Sequence, residues 1–322
     1  MARPRVVITG GAGFIGSHLA EALVPEADVV LVDRLRPGRR EDAAAALAAG
    51  ARLMKRDVLR GDLRPLVRRA SAVYHFAANP EVRLGREGTR PHVEENILAT
   101  WRVLEACRAA RVPRVVFAST STVYGEAAIV PTPEDYAPLE PISVYGASKL
   151  ACEALLSAYA HTFGVHAIVF RLANVIGGRS HHGVVHDLVR KLGKDPRRLE
   201  IIGADPGTSK SYVHVDDVVA GIRAGVAAAG APWAVYNLGS EDAISVRAIA
   251  DAICDELGLG GVAYAWTGGS GTGRGWSGDV RTMALALDRL ERTGWRPTMS
   301  SEASVRRAAR ELWDRLPRRP RA

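Results

Sequence analysis

The stretch Val6-Val7-Ile8-Thr9-Gly10-Gly11-Ala12-Gly13-Phe14-Ile15-Gly16 places a short apolar run before a glycine-rich turn and the start of a helical pattern. Strand, glycine turn and helix in this order form the context in which a dinucleotide pyrophosphate binds. Gly10 permits the tight turn, and Gly13 lets the backbone approach the phosphates. Phe14 and Ile15 open the helix, whose free amides and dipole favour negative charge. The stretch therefore predicts the first unit of a dinucleotide-binding fold.

Outward from this unit, β-branched runs alternate with longer helical patterns, which implies right-handed βαβ units and a parallel sheet covered on both faces. The predicted strands are 5–9, 29–33, 72–76, 114–118 and 167–171, and the predicted helices are 15–24, 41–49, 91–111 and 145–163. We therefore predict an α/β fold with a doubly wound parallel Rossmann sheet, formed by an NAD-binding domain over residues 1–174. A smaller α/β substrate domain is predicted over residues 175–322, with some elements returning to the first. In it we predict strands 199–202 and 234–238, helices 216–229 and 246–257, and a loop over 267–278.

The end of the second predicted strand indicates which dinucleotide binds. Asp33 follows the glycine loop by about 20 residues, where a carboxylate hydrogen-bonds both ribose hydroxyls of NAD and repels a 2′-phosphate. Arg34 and Arg36 argue the other way, because nearby arginines can hold that phosphate. Asp57 and Val58 are predicted to meet the adenine, with a helix N-cap as the alternative role of Asp57. NAD is therefore favoured over NADP.

The stretch Tyr145-Gly146-Ala147-Ser148-Lys149 places a phenol and an amine on one face of a predicted helix, one turn apart. A fixed ammonium beside a phenol favours the phenolate, so Tyr145 can act as a base near neutral pH. Thr120 follows the strand 114–118, and ligands bind outside the carboxyl ends of parallel strands. We therefore expect Thr120, Tyr145 and Lys149 at one crevice, in an enzyme that takes a hydride and a proton from one alcohol. An amphipathic surface pair is the alternative for the last two.

Charge and composition limit the partners. The net charge is +8, and almost all of the positive charge comes from arginine. A positive net charge fits either a nucleic-acid partner or an anionic small substrate. A cluster near the C-terminal end comprises Arg306, Arg307, Arg310, Arg315, Arg318, Arg319 and Arg321. No aromatic residues interleave with these arginines as a base-stacking platform requires, so we predict a solvated terminal helix and no nucleic-acid partner.

Membrane and metal partners are not expected either. No stretch is long and apolar enough to span a membrane, and 6–8 is too short for the apolar region of a signal peptide, so we predict a cytoplasmic protein. Cys107, Cys152 and Cys254 match no metal or redox spacing. His182 and His186 stand four residues apart, but no third ligand accompanies them. We therefore predict no metal site.

Several segments together resemble the extended short-chain dehydrogenase/reductase family, in particular its nucleotide-sugar epimerase branch. In order along the chain they are TGGAGFIG (9–16), HFAA (75–78), STSTVYG (119–125), YGASK (145–149), RLANVIG (171–177), SYVHVDD (211–217), YNLG (236–239) and GWRP (294–297). Each segment alone is a weak match, but the ordered set covers nearly the whole chain.

The resemblance implies a role for each matching residue. Tyr145 is similar to the family's general base and acid on the sugar O4, Lys149 to the group that binds the nicotinamide ribose and lowers the tyrosine pKa, and Thr120 to the residue that orients the proton. Further implied cofactor contacts are Phe76, Ala77, Ala78 and Asn96, and implied substrate contacts are Asn174, Lys210 and Arg274. Arg179, just past the Asn174 motif, is a candidate for a C6 carboxylate, with help from the hydroxyls of Ser121 and Thr122.

The reaction implied by the resemblance is 4-epimerisation of a UDP sugar through a transient 4-keto sugar, with NAD tightly bound and regenerated in each cycle. Related 4,6-dehydratases carry an Asp-Glu pair directly after the threonine. Here Ser121 and Thr122 stand there, and neither is an acid or base near neutral pH. A 4,6-dehydratase therefore stays the second choice, and a catalytically silent NAD-binding regulator is the alternative from another class.

The substrate pair is either UDP-glucose and UDP-galactose or UDP-glucuronate and UDP-galacturonate. A homodimer through helices 91–111 and 145–163 is also implied by the resemblance.

Overall fold

The strands and helices below are those of a computed structural model that describes residues 3–36, 39–83, 88–270 and 274–317. The strands are β1 (Arg5–Thr9), β2 (Asp28–Asp33), β3 (Arg52–Lys55), β4 (Ala72–His75), β5 (Arg114–Thr120), β6 (His166–Leu172), β7 (Asn174–Ile176), β8 (Arg198–Ile201), β9 (Ser209–Lys210), β10 (Tyr212–His214), β11 (Trp233–Leu238), β12 (Ile244–Ser245), β13 (Ala263–Trp266) and β14 (Thr282–Met283). The helices are α1 (Phe14–Leu23), α2 (Arg39–Asp42), α3 (Ala44–Ala48), α4 (Arg64–Val67), α5 (Arg90–His92), α6 (Ala99–Ala110), α7 (Val144–Phe163), α8 (Val184–Lys194), α9 (Val215–Ala228), α10 (Val246–Glu256), α11 (Asp288–Glu291) and α12 (Ser301–Asp314). A π-helical turn (Val93–Leu98) and a 3-10 turn (Ser121–Tyr124) complete the set.

Seven parallel strands form the central sheet, in the order β11-β6-β5-β4-β1-β2-β3. The direction of strand order reverses between β1 and β4, which opens a crevice beyond their carboxyl ends. The predicted doubly wound parallel sheet is thus confirmed. The strand β11 comes from the second half of the chain and pairs with β6 at one end of the sheet.

Alternate side chains of the central strands enter two separate cores. Ile8 and Leu31 pack with α1 and α9 on one face, whereas Val7 and Val30 pack with α6 and α7 on the other. All four side chains are almost fully buried, so strands that read as continuous apolar runs need cover on both sides. This two-sided burial is what specifies the helix-sheet-helix layers.

A third core lies in the smaller unit built from the second half of the chain. Leu192 of α8, Ile201 of β8, Ile249 of α10 and Leu312 of α12 are buried together there. Three small sheets accompany it, in the orders β10-β7, β12-β9-β14 and β13-β8. None of the helices in the described ranges is long and apolar enough to cross a membrane.

Some local predictions differ from the structure. The edge strand β3 was not predicted, because RLMK is mostly exposed and shows no clear alternation. The predicted helix 41–49 is divided into α2 and α3, and the predicted helix 91–111 into α5, the π-helical turn and α6. In the π-helical turn the Ala99 amide donates to the Glu94 carbonyl, five residues back, an arrangement frequent at functional sites.

The helix α7 begins and ends where its sequence demands. Ser143 caps it by accepting a hydrogen bond from the Gly146 amide at 3.1 Å, and Gly164 ends it at a φ of 68°. This start places Tyr145 in the first turn and Lys149 one turn later, both near the carboxyl end of β5.

The basic cluster near the C-terminal end is paired where the structure describes it. Ion pairs join Arg306 to Glu302 and Asp255, Arg307 to Glu311 and Asp216, Arg310 to Glu256, and Arg315 to Asp42. Arg318, Arg319 and Arg321 lie outside the described residues.

Candidate active site

A cleft of about 730 Å³ lies between the carboxyl ends of the central strands and the smaller unit. The predicted site residues that line it are Gly10, Gly13, Phe14, Ile15, Asp33, Arg34, Asp57, Val58, Phe76, Ala77, Ala78, Ser121, Thr122, Tyr145, Lys149, Asn174 and Lys210. The fold therefore brings residues from positions 10 to 210 to one crevice, at the place where the strand order reverses.

The glycine loop forms one end of the cleft. Gly10 has a φ of 67°, and a Cβ there would lie 2.7 Å from the Ala77 backbone nitrogen, so the close approach of the two segments requires glycine. Gly13 precedes α1, and no side chain caps the first turn of that helix. The amides of the first turn are therefore available to an anion, as the sequence predicts for a pyrophosphate.

Asp33 is held in place beside this loop. Its Oδ2 accepts a hydrogen bond from the Ala12 amide at 3.1 Å, and its Oδ1 accepts one from the Leu35 amide at 2.8 Å. The carboxylate thus stands at the end of β2, where a ribose diol would meet it. Asp57 accepts from the Leu59 amide at 2.9 Å within a turn, so the alternative role as a helix N-cap does not apply.

Lys149 and Tyr145 lie in a strongly desolvated part of the cleft. The Lys149 ammonium donates to the Ala118 carbonyl at 2.8 Å and lies 4.6 Å from the centroid of the Phe117 ring. Its burial lowers the pKa of Lys149 to about 8. Burial also raises the pKa of Tyr145 to about 12, and a hydrogen bond with the Thr120 side chain opposes that rise. Burial thus favours the neutral form of both side chains, an effect that the Tyr–Lys spacing alone does not reveal.

The segment after β5 presents three hydroxyl groups. Thr120 Oγ1 accepts a hydrogen bond from the Thr122 amide at 3.2 Å and so caps the 3-10 turn, while its side chain also reaches Tyr145. Ser121 and Thr122 line the cleft. The capping role and the predicted orienting role of Thr120 are thus compatible in one geometry.

A comparison with known proteins extends this picture. The model of the NAD dependent epimerase/dehydratase family matches residues 6–239. The chain belongs to this family. NAD, predicted from Asp33 and the glycine loop, is therefore its cofactor.

Individual relatives align with most of this epimerase/dehydratase. A solved UDP-galactose 4-epimerase is 42% identical with a TM-score of 0.86, over 97% of this chain and 99% of that one. MoeE5, solved in complex with UDP-glucuronic acid and NAD, is 30% identical with a TM-score of 0.85, over 97% of this chain and 100% of that one. The UDP-glucose 4-epimerase of Corynebacterium glutamicum is 31% identical over 79% of this chain and 80% of its own.

Two predicted arginines of this epimerase/dehydratase lie away from the cleft. Arg179 forms an ion pair with Glu21 of α1 at 2.6 Å and donates to the Ser17 hydroxyl at 3.2 Å. It is not among the residues that line the cleft in this arrangement. Arg274 donates to Glu126 at 2.7 Å, and the ring that lines the cleft nearby belongs to Trp276.

Asn96 lies behind the cleft wall. Its Oδ1 accepts from the Asn79 amide at 2.7 Å, and its Nδ2 donates to the Ser148 hydroxyl at 2.8 Å. With 1% of its surface exposed, it joins the segment after β4 to α7. Asn96 therefore does not line the cleft itself; it links two segments that contribute to the cleft wall.

Three residues at or beside the cleft were not predicted as site residues from the sequence. His92 is fully buried, and its ring contacts the Tyr145 ring edge to face with centroids 5.9 Å apart. Asp279 accepts a hydrogen bond from Lys210, and Glu95 pairs with Arg34. The Gly278-Asp279 dipeptide was a usable signal for the Lys210–Asp279 pair. No local pattern indicates that His92 contacts Tyr145 or that Glu95 pairs with Arg34.

No three His, Cys, Asp or Glu side chains come together as a metal-ligand set within the ranges that the structure describes. His182 lines the cleft, and His186 contacts Asp187 at 3.2 Å.

The buried ammonium of Lys149 predicts a pH-dependent stability. Its pKa falls from 10.5 to about 8 on folding, so between these values the unfolded chain binds more protons and the free energy of unfolding rises with pH. Urea denaturation should show wild type gaining about 1–2 kcal/mol over Lys149→Met between about pH 8 and about pH 9.5. Lys191→Met, at a lysine whose side chain is one-third exposed, is the control and should show no such gain. A pH-independent difference between wild type and Lys149→Met would contradict the buried ammonium.

Proposed function

We propose that the chain is a UDP-sugar 4-epimerase that works through a transient 4-keto sugar. The observation that carries the proposal is the joint position of Thr120, Tyr145 and Lys149 beside the predicted nicotinamide end of the cleft. The 42% identity with a UDP-galactose 4-epimerase over almost the full length supports the same reaction.

In the proposed reaction Tyr145 exchanges the O4 proton of the sugar. The Tyr145 ring packs edge to face against His92, and the Thr120 side chain acts to lower the pKa of the phenol, opposing the effect of burial. NAD, when bound, supplies the acceptor for the C4 hydride and a cationic ring whose charge favours the phenolate. Lys149, held by the Ala118 carbonyl, adds a second cation to the same end of the cleft.

The residues after Thr120 favour epimerisation over dehydration. A 4,6-dehydratase must remove the C5 proton and protonate the departing C6 oxygen, which requires an acid and a base beyond the tyrosine. Ser121 and Thr122 occupy the turn where such a pair would stand, and their hydroxyls do not titrate near neutral pH. An epimerase needs only the one acid–base group on O4.

The other end of the cleft suits a nucleoside diphosphate. Asn174 and Lys210 line it together with the Trp276 ring. Lys210 already pairs with Asp279, so it offers a phosphate less net positive charge than an unpaired lysine would. A lysine binds phosphate as a point charge, without the two-pronged contact of an arginine.

The pairing of cations favours a neutral sugar. Among the described residues, the lysines and the arginine that line this end are each paired with a carboxylate: Lys191 with Glu200, Lys210 with Asp279 and Arg83 with Asp187. Because Arg179 is paired with Glu21 of α1, we favour UDP-glucose and UDP-galactose over their C6 carboxylate counterparts as the substrate pair.

A product assay tests the proposal. Purified protein is mixed with UDP-galactose, without added cofactor, and followed by ¹H NMR of the anomeric proton. We expect UDP-glucose to accumulate, with UDP-glucuronate converted more slowly in a parallel sample. A 4-keto-6-deoxy sugar would instead identify a dehydratase. No change with any UDP, dTDP or GDP sugar would support a silent regulator.

A homodimer stays part of the proposal. Val93, Leu98, Trp101 and Phe163 are large apolar side chains that are more than one-third exposed on the segments 91–111 and 145–163. Their exposure supports pairing of these segments across a two-fold axis. A monomer mass in light scattering would contradict it.

A further inference from the structure

Glu95 makes the closest ion pair at the adenosine end of the cleft. The Arg34 guanidinium donates to both oxygens of its carboxylate, at 3.1 and 2.9 Å. Arg36 lies 3.7 Å from the same carboxylate. All three residues belong to the cleft lining. One carboxylate from the π-helical turn therefore faces both arginines that follow β2.

These two arginines stand where a 2′-phosphate would lie. Asp33, fixed by the Ala12 and Leu35 amides, marks the position of the adenosine ribose. A guanidinium next to that position can bind a phosphate through two parallel hydrogen bonds. In this chain the Arg34 guanidinium already donates two such hydrogen bonds, to the two oxygens of the Glu95 carboxylate.

The π-helical turn aims Glu95 at β2. The preceding residue, Glu94, has the same charge but turns outward, where it pairs with Arg90 at 2.7 Å. Successive residues of a helical turn point in different directions, and here Glu95 lines the cleft whereas Glu94 is not among the described residues that line it. The two glutamates thus provide a natural comparison within one turn of chain.

We propose that Glu95 is a cofactor-specificity residue that excludes NADP by occupying Arg34 and offsetting the charge of Arg36. Asp33 selects NAD directly at the ribose diol, and Glu95 selects it indirectly by withholding the guanidinium that a 2′-phosphate needs. The inference rests on the proposed position of NAD beside Asp33 and is independent of which sugar reaction the protein catalyses.

A competition between the two nucleotides tests this role without any turnover. Each protein is incubated with a large excess of NAD⁺ and NADP⁺ at equal concentrations until the bound ratio no longer changes with time, so that resident nucleotide has exchanged. It is then freed of unbound nucleotide by gel filtration and denatured. Chromatography of the released nucleotides gives the ratio of bound NADP to bound NAD. For Glu95→Gln we expect this ratio to rise about ten-fold over wild type, because one opposing charge is removed and one guanidinium is released.

Two further variants decide whether the effect acts through Arg34. Glu94→Gln removes the same charge from the outward side of the turn and should leave the ratio within about two-fold of wild type. Glu95→Gln combined with Arg34→Met should lose most of the gain. The proposal is overturned by an unchanged ratio in Glu95→Gln, by an equal rise in Glu94→Gln, or by a gain that survives the loss of Arg34. Because bound nucleotide is measured directly, a protein that converts no UDP sugar would still give a clear answer.

Discussion

Tyr145→Phe should lower kcat for the interconversion of UDP-galactose and UDP-glucose by about 10²–10⁴-fold, the range expected when a positioned acid–base group is lost. The change removes one oxygen and leaves the ring packed against His92, so the fold and the bound NAD should be retained. The phenol is the group proposed to exchange the O4 proton, so its loss removes that exchange. Initial rates by NMR, with the NAD content of each preparation, measure the effect.

Tyr159→Phe is the matched control for this change. Tyr159 lies on the same helix, α7, but its hydroxyl donates to Glu105 at 2.6 Å on the side away from the cleft. The control should keep kcat within about two-fold of wild type, since only a peripheral hydrogen bond is lost. If Tyr145→Phe stayed as active as the control, Tyr145 would not be the group that exchanges the O4 proton.

Arg171→Leu should lower the free energy of unfolding by about 3–5 kcal/mol, because it leaves the Glu153 carboxylate buried without its cation. Arg171 and Glu153 are joined by hydrogen bonds of 2.8–3.2 Å, with side chains only 6% and 4% exposed. The guanidinium also donates to the Tyr124 hydroxyl at 2.9 Å and to the Glu134 carbonyl at 3.0 Å. The pair thus links β6 and α7 to the segment that follows β5. Urea denaturation at neutral pH measures the loss.

Two controls separate the buried pair from a general effect of removing charge. Arg64→Leu breaks the Arg64–Asp62 pair, whose side chains are 66% and 47% exposed, and should lower the free energy of unfolding far less than Arg171→Leu. Arg171→Met combined with Glu153→Leu removes both buried charges and should recover part of the stability lost in Arg171→Leu. If Arg171→Leu lowered the free energy of unfolding as little as Arg64→Leu, the charge of the Glu153 carboxylate would have to be neutralised in the variant by something other than Arg171.

The glycine loop and the tyrosine motif could be predicted because each acts through neighbouring residues. The φ of 67° at Gly10 lies in the left-handed region that favours glycine, and the Gly13 amide closes the turn by donating to the Gly10 carbonyl at 2.9 Å. Tyr145 and Lys149 share a helix face at a spacing visible in the sequence. Likewise, apolar runs such as 6–8 predict buried parallel strands, because such strands need apolar residues on both faces.

The errors concern residues whose partners are distant in sequence. Arg179 was predicted in the cleft, yet it pairs with Glu21, 158 positions earlier. Arg274 pairs with Glu126, 148 positions earlier. A long cationic side chain takes the nearest carboxylate that the fold offers, and no local pattern identifies that carboxylate. The π-helical turn escaped prediction for a similar reason, because its Asn96 bonds with Asn79 and Ser148 in other elements.

The sequence by itself determined the class of fold, the glycine loop, the acidic residue at the end of β2 and the Tyr–Lys pair, since all of these follow from local periodicity, backbone geometry and spacing. The tertiary structure alone decided the burial of that pair, which raises the pKa of Tyr145 and lowers the pKa of Lys149, because burial depends on segments far apart in the chain. It also decided which charges remain available in the cleft, because Glu95, Asp279 and Glu21 reach their cations only after the chain has folded.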